Sequence, residues 1–143
     1  MYSKTVKYTD YDGNEREETY YFNFKKSEIV EMETSVPGGL EKKLRRISSS
    51  QDGVEIMATV KEIISKAYGE KSDDGRRFIK SEELSKSFME TEGYSEFFME
   101  LMSDPKNLEI FINSIIPQDL AEAAAKQAKD SNIQNMRDFV ETK

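Results

Sequence analysis

Thr19-Tyr20-Tyr21-Phe22-Asn23-Phe24-Lys25-Lys26-Ser27-Glu28-Ile29-Val30-Glu31-Met32 is the stretch whose periodicity settles the class of the fold. Up to Phe24 the large rings alternate, with Tyr20, Phe22 and Phe24 on one face and Thr19, Tyr21 and Asn23 on the other. A strand alternates its side chains in this way. From Ser27 the apolar spacing becomes helical, and Ile29, Val30 and Met32 predict the inward face of a short helix over 27–35. Strand followed by helices predicts an α+β fold, mainly α.

Upstream, Val6 and Tyr8 belong to a first strand, and Asp10-Tyr11-Asp12-Gly13-Asn14 supplies the Asp-Gly signal of a tight turn. Residues 2–24 therefore read as a β-hairpin. Two strands alone are marginal in water. The aromatic face must pack on helices, or the hairpin edges must pair with another chain. Val6, Tyr8, Tyr20 and Phe22 are accordingly the candidate self-association residues.

Downstream, Val36-Pro37-Gly38-Gly39 breaks the chain, and Leu40, Leu44 and Ile47 share one helical face that ends at Ser48-Ser49-Ser50-Gln51. Asp52 and Glu55 have capping-box spacing. The helix they open carries Val54, Met57, Val60, Ile64 and Tyr68, widened by Ile56 and Ile63, with Gly69 as its stop. This clearest amphipathic helix is expected at the centre of the core. Residues 70–80 read as a polar loop. Ser81 caps a helix with Leu84 and Phe88, a second covers Glu92 to Met102, and Asp104-Pro105 starts a third with Leu108, Phe111, Ile112, Ile115 and Ile116. The expectation is an N-terminal hairpin packed on about five to six helices over residues 1–117. Residues 118–143, alanine-rich and then weakly striped by Ile133, Met136, Phe139 and Val140, read as a mobile helical C-terminal appendage.

The 143 residues suit one domain, or one with an appendage, and carry no cysteine, no histidine and a net charge of −7. Disulfides, thiolate chemistry, an imidazole base and an ordinary zinc site are thus excluded. The acidity opposes nucleic-acid binding, despite Lys42-Lys43-Leu44-Arg45-Arg46 and Arg76-Arg77 with Lys80. No run nears the ~18 apolar residues of a membrane span, and Met1-Tyr2-Ser3-Lys4 does not open a signal peptide. Placing Gly75 sixth in a calcium loop puts Arg77 eighth and Ser81 twelfth, where an apolar residue and a glutamate are needed. Neither Asp/Gly cluster is read as a metal site. No nucleophile–base pair or phosphate loop is recognisable, so no catalytic residue or cofactor is assigned. What remains is an excess of methionine and aromatic residues. Phe97, Phe98, Met99, Met102 and Phe111 are the candidate partner-binding residues, because adaptable Met-rich surfaces suit apolar partner helices.

Four stretches carry a resemblance. They are Tyr21-Phe22-Asn23-Phe24 with Ser27 to Glu33 and Gly38-Gly39-Leu40, then Ala67 to Lys80, then Thr91 to Leu101, and Phe111 to Pro117. Over residues 2–120 the chain resembles the tail assembly chaperones of long-tailed phages and prophages. Lys25-Lys26 departs from the leucine-threonine type of helix entry expected there. The resemblance implies a non-enzymatic protein of the infected bacterial cytoplasm, absent from the finished virion. It would keep the tape measure protein soluble until tail tube protein polymerises around it, with many copies on one client. The alternative is a small phage-encoded adaptor or regulator that binds a single folded partner.

Overall fold

The computed structural model describes residues 1–35 and 52–117. The helix expected over 40–47, its terminator and the appendage at 118–143 lie outside the described residues. The chain divides into two compact units, one built from Met1–Asn23 and Ile64–Ile115, the other interrupting it.

The first unit is organised by the hairpin. Strands β1 (Tyr2–Thr9) and β2 (Glu15–Phe22) pair antiparallel, from Tyr2 opposite Phe22 to Thr9 opposite Glu15. The turn is made by Asp10, whose Oδ1 accepts from the N–H groups of Asp12 and Asn14, both at 2.9 Å. Its Oδ2 accepts from Arg16 Nε at 2.6 Å, and these donors hold the carboxyl below its ordinary pKa. Gly13 takes φ +85°, the left-handed position that closes a three-residue connection.

Two further strands were not expected. The helix that precedes them stops at Ala67, and Tyr68 opens β3 (Tyr68–Lys71), which pairs antiparallel with β2 through Tyr21–Gly69 and Phe22–Tyr68. Strand β4 (Phe78–Ile79) completes a four-stranded sheet in the order β1-β2-β3-β4. The polar loop at 70–80 is thus corrected to a second hairpin. Asp74 Oδ1 accepts from Ser72 Oγ at 2.8 Å and from the Arg76 N–H at 3.1 Å, while Gly75 turns at φ +75°. Gly69 is not a helix stop either. A Cβ there would lie 2.6 Å from Phe78 Cε2 and 2.9 Å from the Ile79 carbonyl oxygen, so glycine lets β4 close on β3.

One face of the sheet is covered. Helices α3 (Glu82–Met89), α4 (Glu92–Ser103) and α5 (Pro105–Ile115) follow the strands, and α4 and α5 both pack on β1. Their starts follow from residue type. Ser81 Oγ accepts from the Leu84 N–H at 3.0 Å, Thr91 Oγ1 from Tyr94 at 3.1 Å, and Asp104 Oδ1 from Lys106 at 2.9 Å. Phe22 lies at the centre, stacked on Phe97 at 4.9 Å and edge-on to Phe111 at 5.4 Å and Phe88 at 5.8 Å. Ile64, Ala67, Leu101, Ile112 and Ile115 complete the buried set.

Tyr68 belongs to that core, stacked on Phe88 at 4.2 Å. Burial pushes its hydroxyl up to about 12 from 10.0 and raises Tyr20 as well. A raised folded-state pKa means that stability is complete below the unfolded value and is lost as pH climbs through the folded one. Stability should therefore be level below pH ~10 and fall towards ~12. Denaturant melts followed by tyrosinate absorbance check this, and a flat profile to pH ~12 contradicts it.

In the second unit, α1 (Lys26–Ser35) starts where Glu28 Oε1 accepts from the Lys25 N–H at 2.8 Å, so the lysine pair is capped from three residues downstream. Ile29 and Met32 are buried as expected, but Val30 is exposed. Helix α2 (Gly53–Ala67) begins with Asp52 Oδ1 accepting from the Val54 N–H at 3.0 Å; its last turn, from Ile64, belongs to the first unit. Val60 and Ile63 are buried, whereas Val54 is 75% exposed and Met57 48%, which corrects the expected inward stripe at its N-terminal end.

Candidate functional site

Helix α4 carries the residues of greatest interest. Gly93, near its start, sits so close to the sheet that an added Cβ would overlap Tyr20 Oη. Thirteen-atom helical turns then set which flank each later side chain takes. Residues four apart stack along one side, so Tyr94, Phe98 and Met102 form a row. All three are half-buried, and Tyr94 lies 5.9 Å from Phe98 and edge-on to Phe88 at 5.4 Å. Burial raises the Tyr94 hydroxyl above its ordinary pKa. Met99, beside Met102 on the outer surface, is 65% exposed.

The five candidate partner-binding residues therefore separate. Phe98, Met99 and Met102 share an outer flank of α4. Phe97 and Phe111 are corrected to core positions, because each turns under the helices onto Phe22. The hairpin residues separate as well. Val6, Tyr20 and Phe22 are buried beneath the helices, so their side chains are not at the surface. Tyr8 is half-buried, and its hydroxyl donates to Glu18 Oε1.

The opposite flank of α4 holds a cavity that the sequence did not reveal. It has a volume of about 210 Å³, with Tyr2, Phe97 and Leu101 as its apolar walls and Asn107 and Ile110 of α5 across from them. Lys4 Nζ meets Glu100 Oε1 at 2.6 Å on its rim, and that carboxylate holds the ammonium above its ordinary pKa. Asn107 Nδ2 donates to the Glu100 carbonyl at 2.9 Å, tying α5 to α4. Ile110 is 56% exposed. Only the Asp104-Pro105 start, which fixes the phase of α5, hinted at this arrangement.

Both flanks of α4 offer apolar surface. The Asp10 and Asp74 carboxylates are taken up by turn N–H groups and by Arg16 or Ser72. Among the described residues no group of three or more acidic side chains could hold a metal ion, and no helix is long and apolar enough to cross a membrane. No curated protein and no solved structure matches the chain. A family model does, and it spans nearly the whole of it: the phage tail assembly chaperone model matches residues 1–142, and the chain belongs to that family.

Proposed function

We propose that this chaperone binds apolar helical segments of the tape measure protein, in the cytoplasm of the infected bacterium, and is released before the virion is complete. The observation that carries the reading is the outer flank of α4, where Met99 stands exposed beside half-buried Phe98 and Met102. Methionine side chains are unbranched and polarisable, so such a surface adapts to many apolar sequences. A client with a long series of similar segments calls for that tolerance rather than for one rigid fit. The net charge of −7 keeps the loaded complex soluble. The activity needs no catalytic group.

Co-expression with the tape measure protein of the same phage is the test. The expected result is a client that stays soluble and co-purifies with many copies of this chain. Met99→Asp with Met102→Asp should cut the recovered complex at least about tenfold, since charged groups would have to be desolvated at the contact, while the thermal melt of the free chain stays in place. A client that remains insoluble with the wild-type chain refutes the reading. Recovery of one stoichiometric complex with a folded partner would favour an adaptor instead.

A further inference from the structure

Around the circumference of α4 the side chains change character twice. Ser95, Met99 and Met102 follow one another at helical spacing, so they run along one outward strip. Ser95 and Met99 are exposed and Met102 is half-buried. Phe98, with Tyr94 a turn before it, borders the strip on one side. On the other side stand Glu92, Glu96 and Glu100, each a turn from the next and therefore in a row. The apolar strip has an aromatic border and an acidic one.

The acidic border is not compensated by its own helix, because α4 carries no lysine or arginine. Two of its glutamates are tied to the hairpin. Glu100 meets Lys4 at 2.6 Å, and Glu92 accepts from the Tyr11 hydroxyl. Glu96, in the middle of the row, is exposed and has neither an ion pair nor a hydrogen bond among the described residues. A helix laid on the strip would bring its own flanking positions opposite this border, as positions beside the seam do in paired helices. A glutamate there would face Glu96 and be repelled. A lysine or arginine would be attracted, and its long apolar stem would cover the surface beside Met99.

We propose that the segment seated on this strip is a basic amphipathic helix, with an apolar stripe against Met99 and Met102 and with lysine or arginine along the one side that meets Glu96. The inference rests on the client surface proposed above and adds the chemistry of its occupant. Charges at the rim of a contact govern encounter and choice of partner more than final affinity. The methionines therefore supply tolerance of apolar sequence, and the glutamate row supplies selection among apolar helices by their charge. Its repulsion of acidic helices is half of that selection.

Three synthetic helical peptides test it, sharing one apolar stripe and carrying lysine, glutamine or glutamate at the flanking positions. Each is titrated against the purified full-length chain by fluorescence anisotropy. The lysine peptide should bind at least about tenfold tighter than the glutamate peptide, with glutamine between them, and the spread should narrow as salt rises. Glu96→Lys, with its thermal melt retained, should remove most of the preference. Asp73→Lys makes the same change of net charge on the exposed turn before β4 and should leave the preference in place. Met99→Gln, which alters no charge, should weaken all three peptides. Equal binding of the three peptides, sensitive to Met99→Gln, overturns the charge selection and leaves the apolar surface standing. A lysine preference indifferent to Met99→Gln, or lost equally with Asp73→Lys, also overturns it, because the attraction then belongs to the charge of the whole chain. Binding of none of the peptides overturns both readings.

Discussion

Phe22→Ala is expected to remove about 3–5 kcal/mol, the range for truncating a large aromatic residue in a packed core. Phe22 is fully buried and touches rings from three helices and two strands: Phe88, Phe97 and Phe111, with Tyr68 at 5.8 Å and Tyr2 at 6.1 Å. Those neighbours are anchored on separate elements, so they cannot collapse together into the space. Stacked and edge-on pairs add roughly 0.5–1.5 kcal/mol each beyond area burial. Against a total stability of about 5–15 kcal/mol the loss approaches unfolding at 37 °C. Denaturant titration should show a lowered midpoint with an unchanged slope. A loss under ~1 kcal/mol would mean that the ring cluster re-closes, contrary to this geometry.

Gly93→Ala is the second large effect, and it adds only one methyl group. That methyl would overlap Tyr20 Oη and lie 2.9 Å from both Tyr20 Cζ and Tyr8 Cε1. Neither ring is free to step aside. Tyr20 packs on Phe88 at 4.6 Å and its hydroxyl lies 3.2 Å from Glu18 Oε1, the atom that also receives the Tyr8 hydroxyl. Alanine would improve helix propensity by about 1 kcal/mol, yet overpacking costs about 1–3 kcal/mol and sometimes more. A net loss of about 2 kcal/mol is expected, read as a melting temperature lower by several degrees. Tyr20→Phe removes the overlapped oxygen, so the double variant should regain part of the loss, and strict additivity would contradict the contact.

How far the sequence spoke depended on the range of the interaction that decides each element. Ser81 and Asp104-Pro105 announce their helices because a cap is a local matter of one side chain and a nearby N–H. The alternation from Tyr20 to Phe24 and the Asp-Gly turn are equally local. Tyr68 was misread because it continues the helical spacing from Ile64. Its strand state is settled by Tyr21 and Phe22, more than forty positions earlier, and strand preference is a property of such neighbours more than of the residue. The candidate surface was legible as a composition but not as a face. Phe97 and Phe98 are adjacent and chemically identical, and only the phase of α4 over the hairpin sends one under and the other outward.

The broken continuity of the first unit has a consequence for synthesis. Its hairpin emerges first, yet the rings that cover Phe22 arrive as late as Phe111. At about 5–20 residues per second the ribosome needs some 5–20 s to deliver that interval. Until its end Phe22 lacks the last of the rings that cover it on the nascent chain. This chaperone therefore begins its own life as an incompletely covered apolar surface, in competition for whatever holds nascent chains apart in its host.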